Sequence, residues 1–226
     1  MSTAPAQPRF LVLIASLFTG TLIVSNIVAV KISDFAGHAL DSGNIVFPVS
    51  YILGDILTEI YGYRQARRII WSAFLANALA VGVILAAGEL PAASFWTDQE
   101  AYDAILGQTW RIVLASFVAF LAGEFSNSIV LSRMKLFTHG RFLWSRTIGS
   151  TLVGQGLDTV LFITIAFAGT GVPELGVLMF KTWVFKVGFE TLATPITYLV
   201  VGALKRAEGI DTYDEEVDLN PLALRQ

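Results

Sequence analysis

Six long apolar runs divide the chain, at residues 10–30, 45–62, 69–88, 112–131, 147–168 and 175–204. A helix rising about 1.5 Å per residue needs roughly 20 such residues to cross a bilayer. Each run is about that long, and the last has length to spare for tilting or projecting. The pattern therefore predicts an all-α membrane protein with six transmembrane helices. The first run follows the short polar stretch 1–9 without a small-x-small cleavage site, so it reads as a retained first span, not a signal peptide. The expected organisation is a cytoplasmic N-terminus at 1–9, a six-span transmembrane domain at 10–205, and an acidic, loosely ordered cytoplasmic tail at 206–226.

Composition agrees with this pattern. Hydrophobic residues make up 54% of the chain and charged residues only 15%, and the mean hydropathy is +0.65, well away from soluble domains that run nearer a quarter charged. The absence of cysteine removes disulfides and thiolate metal sites. No basic patch with interleaved aromatics suggests a nucleic-acid partner.

Charge is segregated between alternate connections. Arg64, Arg67 and Arg68 follow the second run, Arg133, Lys135, Arg141 and Arg146 follow the fourth, and Lys205 and Arg206 follow the sixth, with Arg9 ahead of the first. The other connections carry Asp34, Asp41, Glu89, Asp98, Glu100, Asp103 and Glu174. By the positive-inside rule both termini are expected on the cytoplasmic side. The aromatic stretch 91–107, with Phe95, Trp96 and Tyr102, suits a short helix anchored at the outer interface. Trp71 and Trp144 are likewise expected to be interface anchors.

The candidate chemistry lies inside the runs. Asp55 and Glu59 are four apart, hence on one helix face, with Tyr51 and Thr58 on or beside it. A similar word recurs three times: Gly54-Asp55-x-x-Thr58-Glu59, Gly123-Glu124-x-x-Asn127-Ser128 and Gly154-Gln155-x-x-Asp158-Thr159. Glycine lets helices approach closely, and polar groups at this spacing project to one side, so the three words predict three walls of one polar chamber. Lys186 and Glu190 are also four apart and can pair with each other, and Asn26 lies in the first run. Acids without matching cations are costly in hydrocarbon and are expected to pair with loop arginines such as Arg146 or to meet donors on a ligand. The surplus of acceptors favours a donor-rich or cationic guest over an anion. Carboxylates and amides together suit the edge of a heterocycle, with Phe47, Tyr51, Phe162 and Trp183 available to stack on its face. Helix-to-helix bonding is the plainer reading for Asn26, and Arg64, Arg67 and Arg68 reaching back to Asp55 and Glu59 would make those acids structural.

The words FPVSYILGDILTEIYGYRQARR, GEFSNSIVLSRMK and WSRTIGSTLVGQGLDTVLF together resemble the queuosine-precursor transporter family, also called the vitamin uptake transporter family. The resemblance covers roughly residues 10–205. It implies a six-span inner-membrane importer of 7-cyano- or 7-aminomethyl-7-deazaguanine, or queuine, for tRNA modification, with a fold similar to the substrate-binding subunits of energy-coupling-factor transporters. It implicates Asp55, Glu59, Glu124, Asn127, Gln155, Asp158, Lys186 and Glu190; Asn26 and Tyr51 complete the expected substrate-binding set. Many members carry Gln and Asp where Glu124 and Asn127 stand, which exchanges the places of one acid and one amide. The A-x-x-x-A coupling word of energy-coupling-factor subunits is missing, since Thr19 lies four after Ala15. A solitary carrier is therefore expected, without an ATPase module, cofactor or metal; a homodimer stays open.

Two other classes fit less well. A proton- or cation-coupled carrier would use the same acids, although His38 and His139 both fall outside the spans. An intramembrane aspartyl protease would use Asp55 with Asp158, but its G-x-G-D word is missing. A non-transporting assembly subunit leaves the central acids unexplained.

Overall fold

The computed structural model describes residues 8–29, 31–35, 38–107, 110–169 and 174–223. Its helices are α1 (Leu11–Val28), α2 (Phe47–Tyr61), α3 (Tyr63–Gly88), α4 (Gln99–Leu106), α5 (Trp110–Phe137), α6 (Leu143–Phe167) and α7 (Leu175–Glu208). Between α1 and α2 lies a small antiparallel ribbon, β1 (Ile32–Phe35) and β2 (His38–Asp41), in which Ile32 pairs with Asp41 and Phe35 with His38. The apolar pattern gave no sign of it, since neither strand is long enough to alternate clearly.

Among the described residues, five helices, α1, α3, α5, α6 and α7, are long and apolar enough to cross a membrane. The expected second span is shorter than predicted. It is a 3₁₀ turn at Ser42–Ile45 followed by the 15 residues of α2, about 22 Å of helix against roughly 30 Å of hydrocarbon. Pro48 sits in its first turn, where a missing N–H costs no helical hydrogen bond. Every α2 residue from Gly54 to Tyr61 is buried. Protein surrounds this half of the helix, while Val49 near its start is exposed.

Contacts at one end of the bundle fix its direction. The backbone N–H groups of Arg9 and Phe10, before α1, donate to Glu208 at the end of α7, at 2.9 and 2.6 Å. Arg146 in the first turn of α6 bonds Glu59 at the end of α2, and Lys135 at the end of α5 bonds the Glu59 carbonyl. Successive long helices, with α2 among them, thus alternate in direction. The outside of the bundle is apolar, with Val12, Leu79, Leu192 and Leu199 exposed, while its largest fully buried side chains include Arg67, Arg146, Gln155 and Glu59. That inside-out distribution is the one a lipid solvent demands.

Glycines set the spacing where α2, α5 and α6 meet. A Cβ on Gly123 would run into the Tyr51 hydroxyl, the Asp158 Cβ at 2.8 Å and the Gly154 carbonyl at 3.0 Å; one on Gly154 would meet Asn127 at 2.7 Å. The recurrent glycines do bring helices into backbone contact, as their words predicted.

Several peripheral expectations change. Arg133 and Lys135 lie on α5, and Arg146 on α6, because both helices run beyond their apolar cores. The tail is docked. Asp214 is 5% exposed and accepts hydrogen bonds from the Tyr63 N–H at 2.8 Å and the Ser132 hydroxyl at 2.7 Å. Arg67 donates to the carbonyls of Asp218 and Asn220 at 2.8 and 2.9 Å, instead of reaching Asp55 or Glu59. Trp71 donates to the Pro221 carbonyl at 2.8 Å, so it holds the tail and is not an interface anchor. Trp144 is half exposed, as an anchor should be. In the 91–107 stretch, α4 lies against the end of α3, with the Tyr102 hydroxyl donating to the Ile84 carbonyl at 2.8 Å. Phe95 and Trp96 beside it are exposed.

Two outcomes follow. Gly123→Ala should destabilise the protein by about 1–3 kcal/mol through overpacking, whereas Gly82→Ala, with open space around it, should be neutral or slightly stabilising; thermal unfolding in detergent compares them. Partial burial pushes the Asp211 carboxyl up, but hydrogen bonds and charge from Lys135 and Lys205 outweigh it and hold it below the usual carboxylate range. A depressed folded-state value means the contact stabilises above the unfolded value and is lost as pH falls through the folded one. Proteolytic protection of the tail should therefore stay flat across neutral and mildly acidic pH and fall only below about 3.8, the ordinary aspartate value; loss near pH 6 would contradict this.

Candidate functional site

Eight of the ten residues singled out in the sequence converge. Tyr51 and Asp55 come from α2, Glu124 and Asn127 from α5, Gln155 and Asp158 from α6, and Lys186 and Glu190 from α7; all are buried. Their spacing of three or four residues on each helix turns each pair inward. The Tyr51 hydroxyl lies within electrostatic range of Asp158, Glu124, Glu190 and Asp55. Glu124 is similarly close to Glu190 and Asp158. The Glu124 carboxylate occupies the space that the missing Gly54 side chain leaves open.

The pairing differs in one respect from expectation. Lys186 does not pair with Glu190 four residues along; its Nζ donates to Asp158 Oδ2 across to α6, at 2.7 Å, and sits 4.5 Å over the Phe47 ring. A lysine side chain on a helix can point to a neighbour as readily as along its own axis, and here the acid across the interface is the one within reach. Glu190 Oε1 accepts from the Thr151 hydroxyl instead. Asn127 Nδ2 donates to Asp55 Oδ1 at 2.7 Å. Gln155 lies beside Glu190 without a well-formed hydrogen bond.

Much of this cluster remains unsatisfied. Both oxygens of Glu124, the Tyr51 hydroxyl, Asn127 Oδ1, Glu190 Oε2, Thr159 Oγ1 and both amide atoms of Gln155 are buried without a protein hydrogen-bond partner. Native interiors leave few such atoms, so a local concentration of them needs a reason. Acceptors dominate, and the one cation of the cluster is already committed to Asp158. The arrangement can bind N–H groups along two or more edges of a small polar solute. Phe47 and Tyr51, with ring centroids 5.5 Å apart, border it. The other two aromatics proposed for stacking are engaged elsewhere: Phe162 against Phe167, and Trp183 against Gly156 and the Leu152 carbonyl.

Glu59 and Asn26 stand apart. Glu59 accepts Arg146 in bidentate fashion at 2.6 and 3.1 Å, Lys205 at 2.6 Å and, more loosely, Lys135 at 3.6 Å. The predicted partnership of an acid with Arg146 is present, and it belongs to an ion cluster at the end of the bundle. Asn26 donates to Asn77 Oδ1 at 3.1 Å, joining α1 to α3 as the plainer reading anticipated.

Sequence reasoning missed Thr151 and Asn77. Thr151 lies four residues before Gln155, on the face already marked by the glycine word that ends at Thr159, and could have been found by extending it. Asn77 is an isolated amide in an apolar run and gave a signal that went unread.

Comparison with known proteins identifies the family. The chain is 28% identical over 178 residues to a "Probable queuosine precursor transporter" of Bacillus subtilis, covering 78% of each chain. It is 29% identical over 153 residues to a "Queuosine precursor transporter" of Escherichia coli, covering 67% of this chain and 66% of that one. A "Probable queuosine precursor transporter" of Haemophilus influenzae is 28% identical over 141 residues, 62% of this chain and 57% of the other. No solved structure matches the chain. A family model described as "Putative vitamin uptake transporter" matches residues 41–200, a span that contains every member of the buried cluster, and the chain belongs to this family of transporters.

Proposed function

We propose that the protein carries a queuosine precursor, a 7-deazaguanine such as the 7-cyano or 7-aminomethyl base or queuine, across the bacterial inner membrane, binding it in the chamber between α2, α5, α6 and α7. The observation that carries the reading is the set of buried, unpartnered acceptors on Glu124, Asn127, Gln155 and Glu190. A 7-deazaguanine supplies what they lack. Its N1–H and exocyclic amine lie side by side and match the two free oxygens of Glu124, a bidentate geometry with charge-assisted strength. Its 6-oxo group suits Gln155 Nε2, and its pyrrole N–H suits Asn127 Oδ1, whose amide is held by Asp55. A cationic aminomethyl arm would find Glu190 Oε2. Lys186 then serves to hold Asp158 and the Phe47 ring in place.

The membrane arrangement we read with it is six crossings, with α2 as the short one, and both termini cytoplasmic. The alternation of helix directions and the gathering of Arg146, Lys135, Lys205 and Arg67 at one end support it. The fold is taken as similar to energy-coupling-factor substrate subunits, operating without an ATPase partner.

Uptake of labelled precursor by cells or proteoliposomes tests the assignment. Hydrogen bonds to a charged group contribute about 1.5–3 kcal/mol each, so Glu124→Gln should weaken binding by roughly tenfold or more. Asp158→Asn should abolish uptake, but it also strands a buried lysine. The double variant Asp158→Asn/Lys186→Gln should therefore restore the membrane level of the protein without restoring transport. Normal uptake in that double variant would remove Asp158 from the site. Guanine-like bases should raise the melting temperature of the purified protein and simple cations should not; the reverse pattern favours a cation carrier.

A further inference from the structure

The segment after α7 does more than end the fold. Gly209, at φ 67°, turns the chain out of the helix, and residues 210–221 then run back across the end of the bundle where Glu59 lies. Asp211 bridges Lys135 at 2.5 Å and Lys205 at 2.8 Å, the two lysines that also contact Glu59. The Thr212 N–H donates to the Ile60 carbonyl at 3.2 Å, and the Thr212 carbonyl accepts from Lys135 at 2.7 Å. Tyr213 places its ring 4.6 Å beneath the same ammonium. Asp214 and Thr212 close over the bare backbone of Gly62, the single residue between α2 and α3, where any Cβ would meet each of them at 2.8 Å. The segment thereby touches α2, α3, α5 and α7, and α6 is tied in through Arg146 and Glu59.

All the helices that wall the chamber are thus joined at one end by one strap and one ion cluster. The cluster lies close to the chamber, since Glu59 is one turn beyond Asp55 on the same helix. Opening that end requires these helices to separate, and they cannot do so while Asp211 and Asp214 remain seated. We propose that residues 210–221 form a latch on the cytoplasmic end of the transport path, with Asp211 and the Glu59 cluster as its bolt, so that release of the solute into the cell requires the strap to lift. This rests on the chamber being a transport path; it does not depend on which solute travels along it.

Because the chain contains no cysteine, single thiols report the motion cleanly. Ser132 is 3% exposed under the strap, so Ser132→Cys should react slowly with a membrane-permeant maleimide. Adding Asp211→Asn should accelerate labelling at least threefold with no substrate present, and a transported deazaguanine should accelerate it in the Ser132→Cys protein alone. Labelling that is equally slow in both backgrounds overturns the latch. In a second arm, Ser132→Cys with Asp214→Cys is oxidised to a disulfide: uptake should fall at least tenfold and return on reduction. Parental uptake by fully cross-linked protein also overturns it. If the cysteine-free parent takes up no deazaguanine, the substrate assignment fails, while the Asp211→Asn labelling comparison still decides the latch.

Discussion

Water cannot reach the middle of a bilayer to solvate a charge, so every acid buried there must find a partner among the helices or bring one in. That constraint divides the buried polar residues of this protein into two groups with opposite balance. At one end, Glu59 meets Arg146, Lys205 and Lys135. Breaking a buried pair of this kind by removing one partner costs about 3–5 kcal/mol, against less than about 1 kcal/mol for an exposed one. In the centre, Asp55, Glu124, Asp158 and Glu190 share one lysine. The balanced cluster holds helices together; the unbalanced one is poised to accept donors.

The two clusters depend on packing that only small residues permit. Gly54 yields its side-chain space to Glu124, and Gly123 and Gly154 let α5 and α6 approach until each carbonyl faces the other's Cα. Without lipid-phase hydrophobic attraction between helices, such close contact supplies the van der Waals energy that holds them. The same glycines thus create the contact and free the volume in which the polar groups converge. Sequence, packing and site are here a single feature, because removing the glycine would close the space and spread the helices together.

How much of this was legible in the sequence follows from the range of each interaction. Five of the six expected spans, and the inward face of each polar word, depend on local periodicity and came through: Asp55, Glu124, Gln155 and Asp158 do meet. Partner choice depends on how one helix is rotated against another, and that is where reading failed. Lys186 chose Asp158 over Glu190, and Arg67 turned to tail carbonyls. The tail looked loose because its composition is polar and acidic, yet it is held largely through main-chain carbonyls of Thr212, Asp218, Leu219, Asn220 and Pro221. Backbone acceptors are the same for every residue, so composition carries no trace of them. The short length of α2 was hidden for a related reason: Ile45 ends a 3₁₀ turn and Val46 precedes the helix, and hydropathy alone does not distinguish either from helix.

The short helix is what connects the two clusters. α2 carries Tyr51 and Asp55 into the chamber and Glu59 into the ion cluster, within two turns, or about 12 Å along its axis. Asn127 holds Asp55 at one point and Arg146 holds Glu59 at the other, so both clusters grip the same helix. A guest that drew Asn127 or Glu124 toward itself would load the same helix that seats the bolt. Coupling of this kind requires an element with two alternative arrangements. α2 is shorter than the hydrocarbon is thick, and Gly62 at positive φ follows it. The long helices turn apolar faces outward; α2 is held inside by Ile56, Leu57 and Ile60 in the core and by Asn127, Ser128 and Arg146 along its polar face.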